Sequence, residues 1–275
     1  MQASGKLTIA TFNVNSIRQR MAPLLEWIAY NDPDILCLQE TKVQDRDFPK
    51  DDFEEAGYHV AFKGMKAYNG VAILSKETPG DVACGLDDGG EPDEARLIRA
   101  RFKAMSIVNT YVPQGQEVDS PKYAYKIGWF RRLKAYFERH FSPNEPLLWT
   151  GDLNVAPEDI DVYDPKALAG HVCFNPEVTA ALRDVMAWGL IDVFRKYRPD
   201  PGEYTFWDYR LPRAFEKNLG WRLDHLLATK PLAGRSIDAY VDRGTREGEK
   251  PSDHTILVGV FSQGVPAHES HHRDV

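Results

Sequence analysis

The sequence predicts a mixed α/β fold in one domain, and three observations carry that prediction. Short apolar, β-branched runs of strand length recur from Leu7 to Phe261. Segments with apolar residues at helical spacing separate several of them, and no low-complexity linker or repeat divides the 275 residues. Residues 1–262 are therefore expected to form a single domain, with the polar stretch 263–275, which holds Pro266, His268, His271 and His272, as a disordered tail.

Leu7 to Phe12 reads as a strand, and Ile17, Met21, Leu24, Leu25 and Ile28 mark a helix in which Pro23 is tolerable only near the start. Asn31-Asp32-Pro33-Asp34 breaks the chain before a buried-type strand from Ile35 to Leu38. Val71 to Leu74, Leu97 to Phe102 and Ser106 to Val112 continue the strand series. A helix then opens at Ser120-Pro121 and carries Lys126, Trp129, Phe130, Leu133 and Phe137 along one stripe. Pro146 to Thr150 delivers Gly151-Asp152-Leu153-Asn154 onto a turn for which the glycine supplies the freedom. A second helix spans Pro176 to Trp188 with Gly189 as its stop, and Tyr204 to Trp207, Leu223 to Ala228 and Ile256 to Phe261 complete the strands.

Hydrophobic residues make up 43% of the chain, enough to bury a full core. No apolar stretch approaches the roughly 20 residues a bilayer span requires, so no membrane partner is expected. Met1 to Lys6 lacks the basic and apolar regions of a secretory signal, which predicts a cytoplasmic protein. Cys37, Cys84 and Cys173 are far apart and odd in number, as reduced structural thiols would be. A net charge of −7 argues against nonspecific coating of nucleic acid. It leaves room for an enzyme with a local basic rim, for which the clusters Arg99/Arg101/Lys103, Arg131/Arg132/Lys134, Arg195/Lys196/Arg198 and Arg210/Arg213/Lys217/Arg222 are candidates.

Asn13, Glu40, Tyr111, Asp152, Asn154, Asp224 and the Asp253-His254 pair each follow or end a strand-type run, where an α/β protein places chemistry. A set rich in hard oxygen donors with one histidine suits Mg²⁺ or Mn²⁺ working on a phosphate. His254 needs a partner to fix its tautomer, and Asp224 is the plausible one. No serine or cysteine stands out as a nucleophile, so the attacking group is expected to be water, oriented and deprotonated by Asp152. Asn154 and Tyr111 remain to bind the phosphate.

Asn13-Val14-Asn15, Leu38-Gln39-Glu40-Thr41-Lys42, Tyr111-Val112-Pro113-Gln114-Gly115, Gly151-Asp152-Leu153-Asn154, Gly220-Trp221-Arg222-Leu223-Asp224 and Pro251-Ser252-Asp253-His254 occur in this order. Together they resemble the exonuclease III family of apurinic/apyrimidinic endonucleases, over roughly residues 7 to 261. The resemblance implies a four-layer α/β sandwich, with two mixed β-sheets packed face to face and flanked by helices. It implies Glu40 as principal metal ligand, with Asn13, Asp253, Asp152 and Asn154 around the metal. Tyr111, Asp152, Asn154, Asp224 and His254 would be the catalytic groups.

Phe206, Trp221 and Leu223 resemble the pocket in which such enzymes hold an extrahelical abasic sugar. Arg210 to Leu219 would form the DNA-contacting loop, while Gln114 and the Tyr68-Asn69 turn are further contact candidates. The implied activity is Mg²⁺-dependent incision of double-stranded DNA 5′ to abasic sites, together with 3′-5′ exonuclease and 3′-phosphodiesterase action on blocked 3′ ends, by a monomer. The wider superfamily also includes phosphatases of inositol phosphates, sphingomyelinases and RNA deadenylases. Some members carry aspartate where Asn15 stands, which leaves a second metal ligand in doubt.

Overall fold

The computed structural model describes residues 5–90, 92 and 94–263; most of the 263–275 tail lies outside the described residues. One sheet contains β1 (Lys6–Asn13), β2 (Ile35–Gln39), β3 (His59–Lys63), β4 (Val71–Ser75), β11 (Ser236–Asp242) and β12 (Ile256–Ser262), in the order β11-β12-β1-β2-β4-β3. The other contains β5 (Asp81–Cys84), β6 (Leu97–Arg101), β7 (Ser106–Tyr111), β8 (Leu147–Asp152), β9 (Leu190–Asp192) and β10 (Asp224–Thr229), in the order β5-β6-β7-β8-β10-β9. Each sheet has one parallel pair, β1 with β2 and β7 with β8, and is otherwise antiparallel.

The layers follow from which strand faces are apolar. Ile9, Ile35, Cys37 and Ile73 from the first sheet meet Ile98, Ile107, Leu148 and Leu226 from the second. Outside the first sheet, α1 (Ile17–Asn31) and α2 (Lys50–Glu55) bury Leu24, Trp27, Ile28 and Phe53 against Phe12, Leu36 and Leu74. Outside the second, α3 (Pro121–His140) and α4 (Pro176–Met186) bury Trp129, Phe130, Leu133, Phe137, Val178 and Leu182 against Val108 and Trp149. This is the expected four-layer α/β sandwich. Two short helices, α5 (Val193–Tyr197) and α6 (Lys230–Ala233), close the second sheet. No described helix is long and apolar enough to cross a membrane.

The two parallel pairs set the location of the site. Asn13 pairs with Gln39 at the carboxyl end of β1 and β2, and Tyr111 pairs with Asp152 at the carboxyl end of β7 and β8. Antiparallel β10 begins at Asp224, opposite Asp152, and β12 begins just after His254. Strand ends from both sheets therefore meet at one edge of the sandwich. Beneath them a buried polar junction fixes the sheets' relative position. The Asn109 amide on β7 donates to Leu38 O and Ala72 O, each at 2.9 Å, and Gln39 Nε2 donates to Asn109 Oδ1 at 2.7 Å. A slip of one sheet would orphan these buried groups, at a cost of about 1–3 kcal/mol each.

Several expectations need correction. Tyr204 to Trp207 is not a strand: Phe206 makes isolated bridges to Trp221 and His254, and the surrounding chain is irregular. Pro23 is the seventh residue of α1, well inside the helix, where it supplies no amide donor. Gly151 lies within β8 rather than on a turn, with φ 126°, and a Cβ there would sit 2.0 Å from Thr110 O, so close approach of β7 requires glycine. Strands β3, β5, β9 and β11 escaped sequence reading because β3, β5 and β11 have few fully buried residues and β9 has only three residues. The first tail residue, Gln263, is tied to Gly5 O by its backbone amide at 2.8 Å.

Arg222 is no rim residue. It is 1% exposed, donates from Nε to Asp161 Oδ1 at 2.6 Å, and pairs through Nη1 with Asp192 Oδ2 at 2.8 Å. Arg195 also holds Asp161. Its neighbour His225 lies with Nδ1 3.0 Å from Arg222 and Nε2 2.9 Å from Val155 O, so the ring accepts from the guanidinium and donates to the carbonyl. Burial and the Arg222 charge hold its pKa down at about 4, which keeps the ring neutral. Asp161→Ala leaves two guanidinium groups without their shared partner, one of them fully buried, and should cost about 3–5 kcal/mol in urea-unfolding stability; a loss below about 1 kcal/mol would refute this structural assignment.

Candidate active site

The backbone itself is shaped to gather these groups. Glu40 and Asn154, just past the ends of β2 and β8, both take left-handed conformations, with φ of 49° and 50°. The Glu40 and Thr41 carbonyls accept from the amides of Ser16 and Ile17 at 2.8 and 3.1 Å, which locks the β2 exit onto the start of α1. At the other exit, the Lys126 ammonium of α3 is fully buried and donates to Asn154 O at 2.8 Å, Val172 O at 3.0 Å and Gln114 O at 3.1 Å. Sequence periodicity had placed Lys126 on the apolar stripe. Its stem does pack there, while its charge ties three loops together.

Asn13 links the two sheets at the centre. Its Nδ2 donates to Glu40 Oε1 at 2.8 Å and to Asp152 Oδ2 at 2.9 Å, while its Oδ1 accepts from the Asn15 amide at 3.0 Å. The amide thus turns nitrogen to the two carboxylates and orients them. The reverse orientation would set an oxygen against two anions. Asp152 Oδ1 accepts from the Asn154 backbone amide at 2.9 Å, and Asn154 Nδ2 reaches Val112 O at 3.0 Å and Asp152 Oδ2 at 3.3 Å.

The expected pair is present: His254 Nδ1 lies 2.7 Å from Asp224 Oδ2, and His254 Nε2 lies 3.6 Å from Asp152 Oδ2. Asp253 faces the other way, with Oδ1 accepting from Asn15 Nδ2 at 2.9 Å. Ser252 Oγ donates to Asn13 O at 2.7 Å and accepts from the His254 amide at 3.2 Å, fixing this loop to the end of β1.

These contacts divide the protonation states. Burial and the Asp224 and Glu40 charges push the Asp152 carboxyl up to about 7, against the pull of His254 and Asn13. Burial opposes a charged His254, but Asp224, Asp152 and Asp253 outweigh it and raise the ring to about 10. Glu40 moves the other way: burial raises it, yet Lys42, Asn13 and His254 together hold it below the usual range. Burial, Glu40 and Asp152 keep the Tyr111 phenol protonated well above its ordinary range, so it is a donor.

The cluster opens into a cleft of about 710 Å³ that is also lined by Phe206, Trp221, Leu223, Gln114 and Arg210. Phe206 packs its ring 5.0 Å from that of His254, so an apolar wall adjoins the acid cluster. Arg210 is exposed and paired with Asp208 at the lip. Asn69 does not face the cleft, because its side chain is buried on Glu94 O at 2.9 Å; Tyr68 beside it is exposed.

Sequence reasoning missed His171, whose ring packs at a tilt 4.7 Å from that of Trp221, and Lys42, whose ammonium lies 2.7 Å from Glu40 Oε2 and 2.5 Å from Asn15 Oδ1. Position in the Gln39-Glu40-Thr41-Lys42 run was the available signal for Lys42. His171 sits in an irregular loop and left none.

The Endonuclease/Exonuclease/phosphatase family matches residues 10–254. An exodeoxyribonuclease III of Haemophilus influenzae is 34% identical over 91% of this chain and 98% of its own length. The chain belongs to the exonuclease III family of apurinic/apyrimidinic endonucleases. Among solved structures, an AP endonuclease from Archaeoglobus fulgidus is 51% identical, with a TM-score of 0.90 over 93% of this chain and 99% of that one. A Neisseria 3′ phosphatase bound to a product DNA hairpin is 34% identical, with a TM-score of 0.89 over 94% and 100%.

The donor set of this exonuclease III family member fits a hard divalent cation. Glu40, Asp152 and Asp253 line one cleft, and behind His254 the buried Asp224 keeps Oδ1 without a partner. The Lys42 ammonium between Glu40 and Asn15 stands in for a cation there. Among the described residues, Asp152, Asp224 and His254 also bring ligand atoms within 4.8 Å of one another, which overlaps the sequence-derived metal set at Asp152.

The raised His254 pKa has a signed consequence. Its contribution to the stability of the metal-free protein is fully present below about 6.5 and is lost as pH rises through about 10. In EDTA, ¹⁵N NMR should find His254 as imidazolium at pH 8, and Asp224→Asn should return its titration to lower pH. A neutral ring at pH 8 would overturn the charge assignment.

Proposed function

We propose that this DNA-hydrolysing nuclease is an apurinic/apyrimidinic endonuclease. It would cut double-stranded DNA 5′ to abasic sites, leaving a 3′-hydroxyl, and also remove blocking groups and nucleotides from 3′ ends. One observation carries the reading: the buried Asp152 carboxylate lies 3.6 Å from the His254 ring in a polar cleft that Phe206, Trp221 and Leu223 also line. The same cleft is complete within one chain, which supports action as a monomer. The likeness to the Archaeoglobus AP endonuclease supports incision, and that to the Neisseria 3′ phosphatase supports 3′-end processing.

The residues divide the work by chemistry. Asp152 is the base: its pKa lets it take a proton from an attacking water near neutral pH, as that water's oxygen bonds to phosphorus and the bond from phosphorus to the 3′ oxygen breaks. His254, held protonated by Asp224, donates to a phosphate oxygen and offsets charge that grows in the transition state. Tyr111 and Asn154 supply neutral donors to the same phosphate, and Asn13 keeps Glu40 and Asp152 in register.

Mg²⁺, with Mn²⁺ able to substitute, would be held by Glu40 and Asp253, with Asp152 and Asn154 close by, and would neutralise phosphate charge. Phe206, Trp221 and Leu223 would enclose an extrahelical sugar without its base, while Arg210 and Gln114 contact the flanking DNA.

Purified protein with Mg²⁺ should nick a duplex containing one tetrahydrofuran abasic analogue on its 5′ side, and absence of that product rejects the reading. Competition with a phosphoinositide and with poly(A) should leave the rate unchanged. Glu40→Ala and His254→Ala should each lower kcat by about 10²–10⁴-fold with an unchanged circular dichroism spectrum; near-normal turnover in either variant removes the role given to that residue.

A further inference from the structure

Arg20, the fourth residue of α1, is 8% exposed, yet no carboxylate among the described residues pairs with it. Its guanidinium is instead spent on four acceptors. Nη1 donates to Asn15 O and to Gln19 Oε1 at 2.8 Å, and Nη2 donates to Pro251 O at 2.9 Å and to the Tyr209 hydroxyl at 3.2 Å. The Tyr209 hydroxyl itself donates to Pro251 O. Three segments distant in sequence therefore meet on one side chain: the Asn13–Asn15 exit of β1, the Pro251–His254 loop, and the loop that follows Phe206.

Each segment carries part of the site. Asn15 holds Asp253, Pro251 is two residues before Asp253, and Tyr209 is adjacent to Arg210 on the cleft lip. The loop after Phe206 packs Trp207, Leu211, Ala214 and Phe215 into one small cluster with Tyr204 and Tyr163. Arg246 braces this unit from behind, with its guanidinium 5.5 Å from the Tyr209 ring and a hydrogen bond to Ser252 O. A fixed planar fork suits such multiple donation from its two terminal nitrogens, while Nε is buried without a partner.

We propose that Arg20 and Tyr209 form a positioning clamp that makes the seating of the cleft-lip loop and the placement of Asp253 a single event. The lip residue Arg210 meets DNA under the function proposed above, on which this inference rests, and the clamp passes that seating to the Asp253-His254 loop. Arg20 and Tyr209 are positioning residues. They act on kcat through Asp253 and His254 and leave KM to Arg210 and the walls of the cleft.

The test uses the full chain as wild type, Arg20→Met, Tyr209→Phe and the double variant. Hydrogen exchange reads the 208–219 and 252–254 amides, and steady-state incision of the tetrahydrofuran duplex is followed with Mg²⁺. Both loops should exchange faster together in each single variant. Arg20→Met should lower kcat about tenfold with KM within about twofold of wild type, and the double variant should be no slower than Arg20→Met within about twofold, because both substitutions break one unit.

Loosening of one loop without the other, multiplicative losses in the double variant, or a change confined to KM would each overturn the clamp. If Arg20→Met does not fold, Tyr209→Phe alone must loosen both loops, and its failure to do so overturns the proposal. A wild-type protein that cuts no abasic DNA rejects the proposed function, while the exchange data still decide the clamp.

Discussion

Four carboxylates drawn to one edge of a sandwich repel one another, and the rest of the site is arranged around that repulsion. Glu40 enters from the first sheet, Asp152 and Asp224 from the second, and Asp253 from the loop before β12. The amide of Asn13 lies between Glu40 and Asp152 at 2.8 and 2.9 Å, so a neutral donor separates two charges that would otherwise force one acid to take a proton. The remaining tension falls on Asp152, which is buried and whose pKa is raised by burial and by the Asp224 and Glu40 charges. An acid destabilised as an anion by burial and repulsion is a better proton acceptor than an ordinary carboxylate.

Such a cluster needs rigid walls, and buried cations provide them without entering the cleft. Lys126 fastens the Asn154 turn to two neighbouring loops through three carbonyl oxygens and the Cys173 sulfur. Arg222 and His225 flank Asp224 in sequence and are held by Asp161, Asp192 and Val155 O, so the strand that supplies the histidine's partner is anchored on both sides. Buried ion pairs of this kind contribute little net stability compared with apolar packing, but each has a unique geometry. At this edge, unique geometry is what the chemistry requires.

The sequence made the central strands and long helices legible because their burial is continuous. Ile35–Gln39, Val71–Ser75 and Leu147–Asp152 are buried at every position, and α3 and α4 begin at Ser120-Pro121 and Asn175-Pro176 with side-chain caps. Edge strands such as Asp81–Cys84 pair on one side only and show no apolar run to read.

Within the site, residues in the ordered motifs were legible as types, and the structure brings Glu40, Tyr111, Asp152, Asn154, Asp224, Asp253 and His254 around one cleft. Their supports were not. Arg222 looked like a surface cation and Lys126 like part of a stripe, because a charged residue's burial depends on partners such as Asp161 or a carbonyl of Val172, which are remote in sequence. Asn109 and Gln39 were invisible for the same reason.

The Asp253-His254 dipeptide condenses the logic of the whole edge. In extended chain, successive side chains point to opposite faces. The isolated bridge between His254 and Phe206 holds this stretch extended. Asp253 is thereby aimed at Asn15 and the first sheet, while His254 is aimed at Asp224 and Asp152 of the second. Two neighbours in sequence serve the two halves of the sandwich. A one-residue insertion or deletion in the Pro251-Ser252 turn would exchange their faces, presenting the imidazole to Asn15 and the Asp253 carboxylate to Asp152. Ser252, which bonds both Asn13 O and the His254 amide, fixes the register that prevents it.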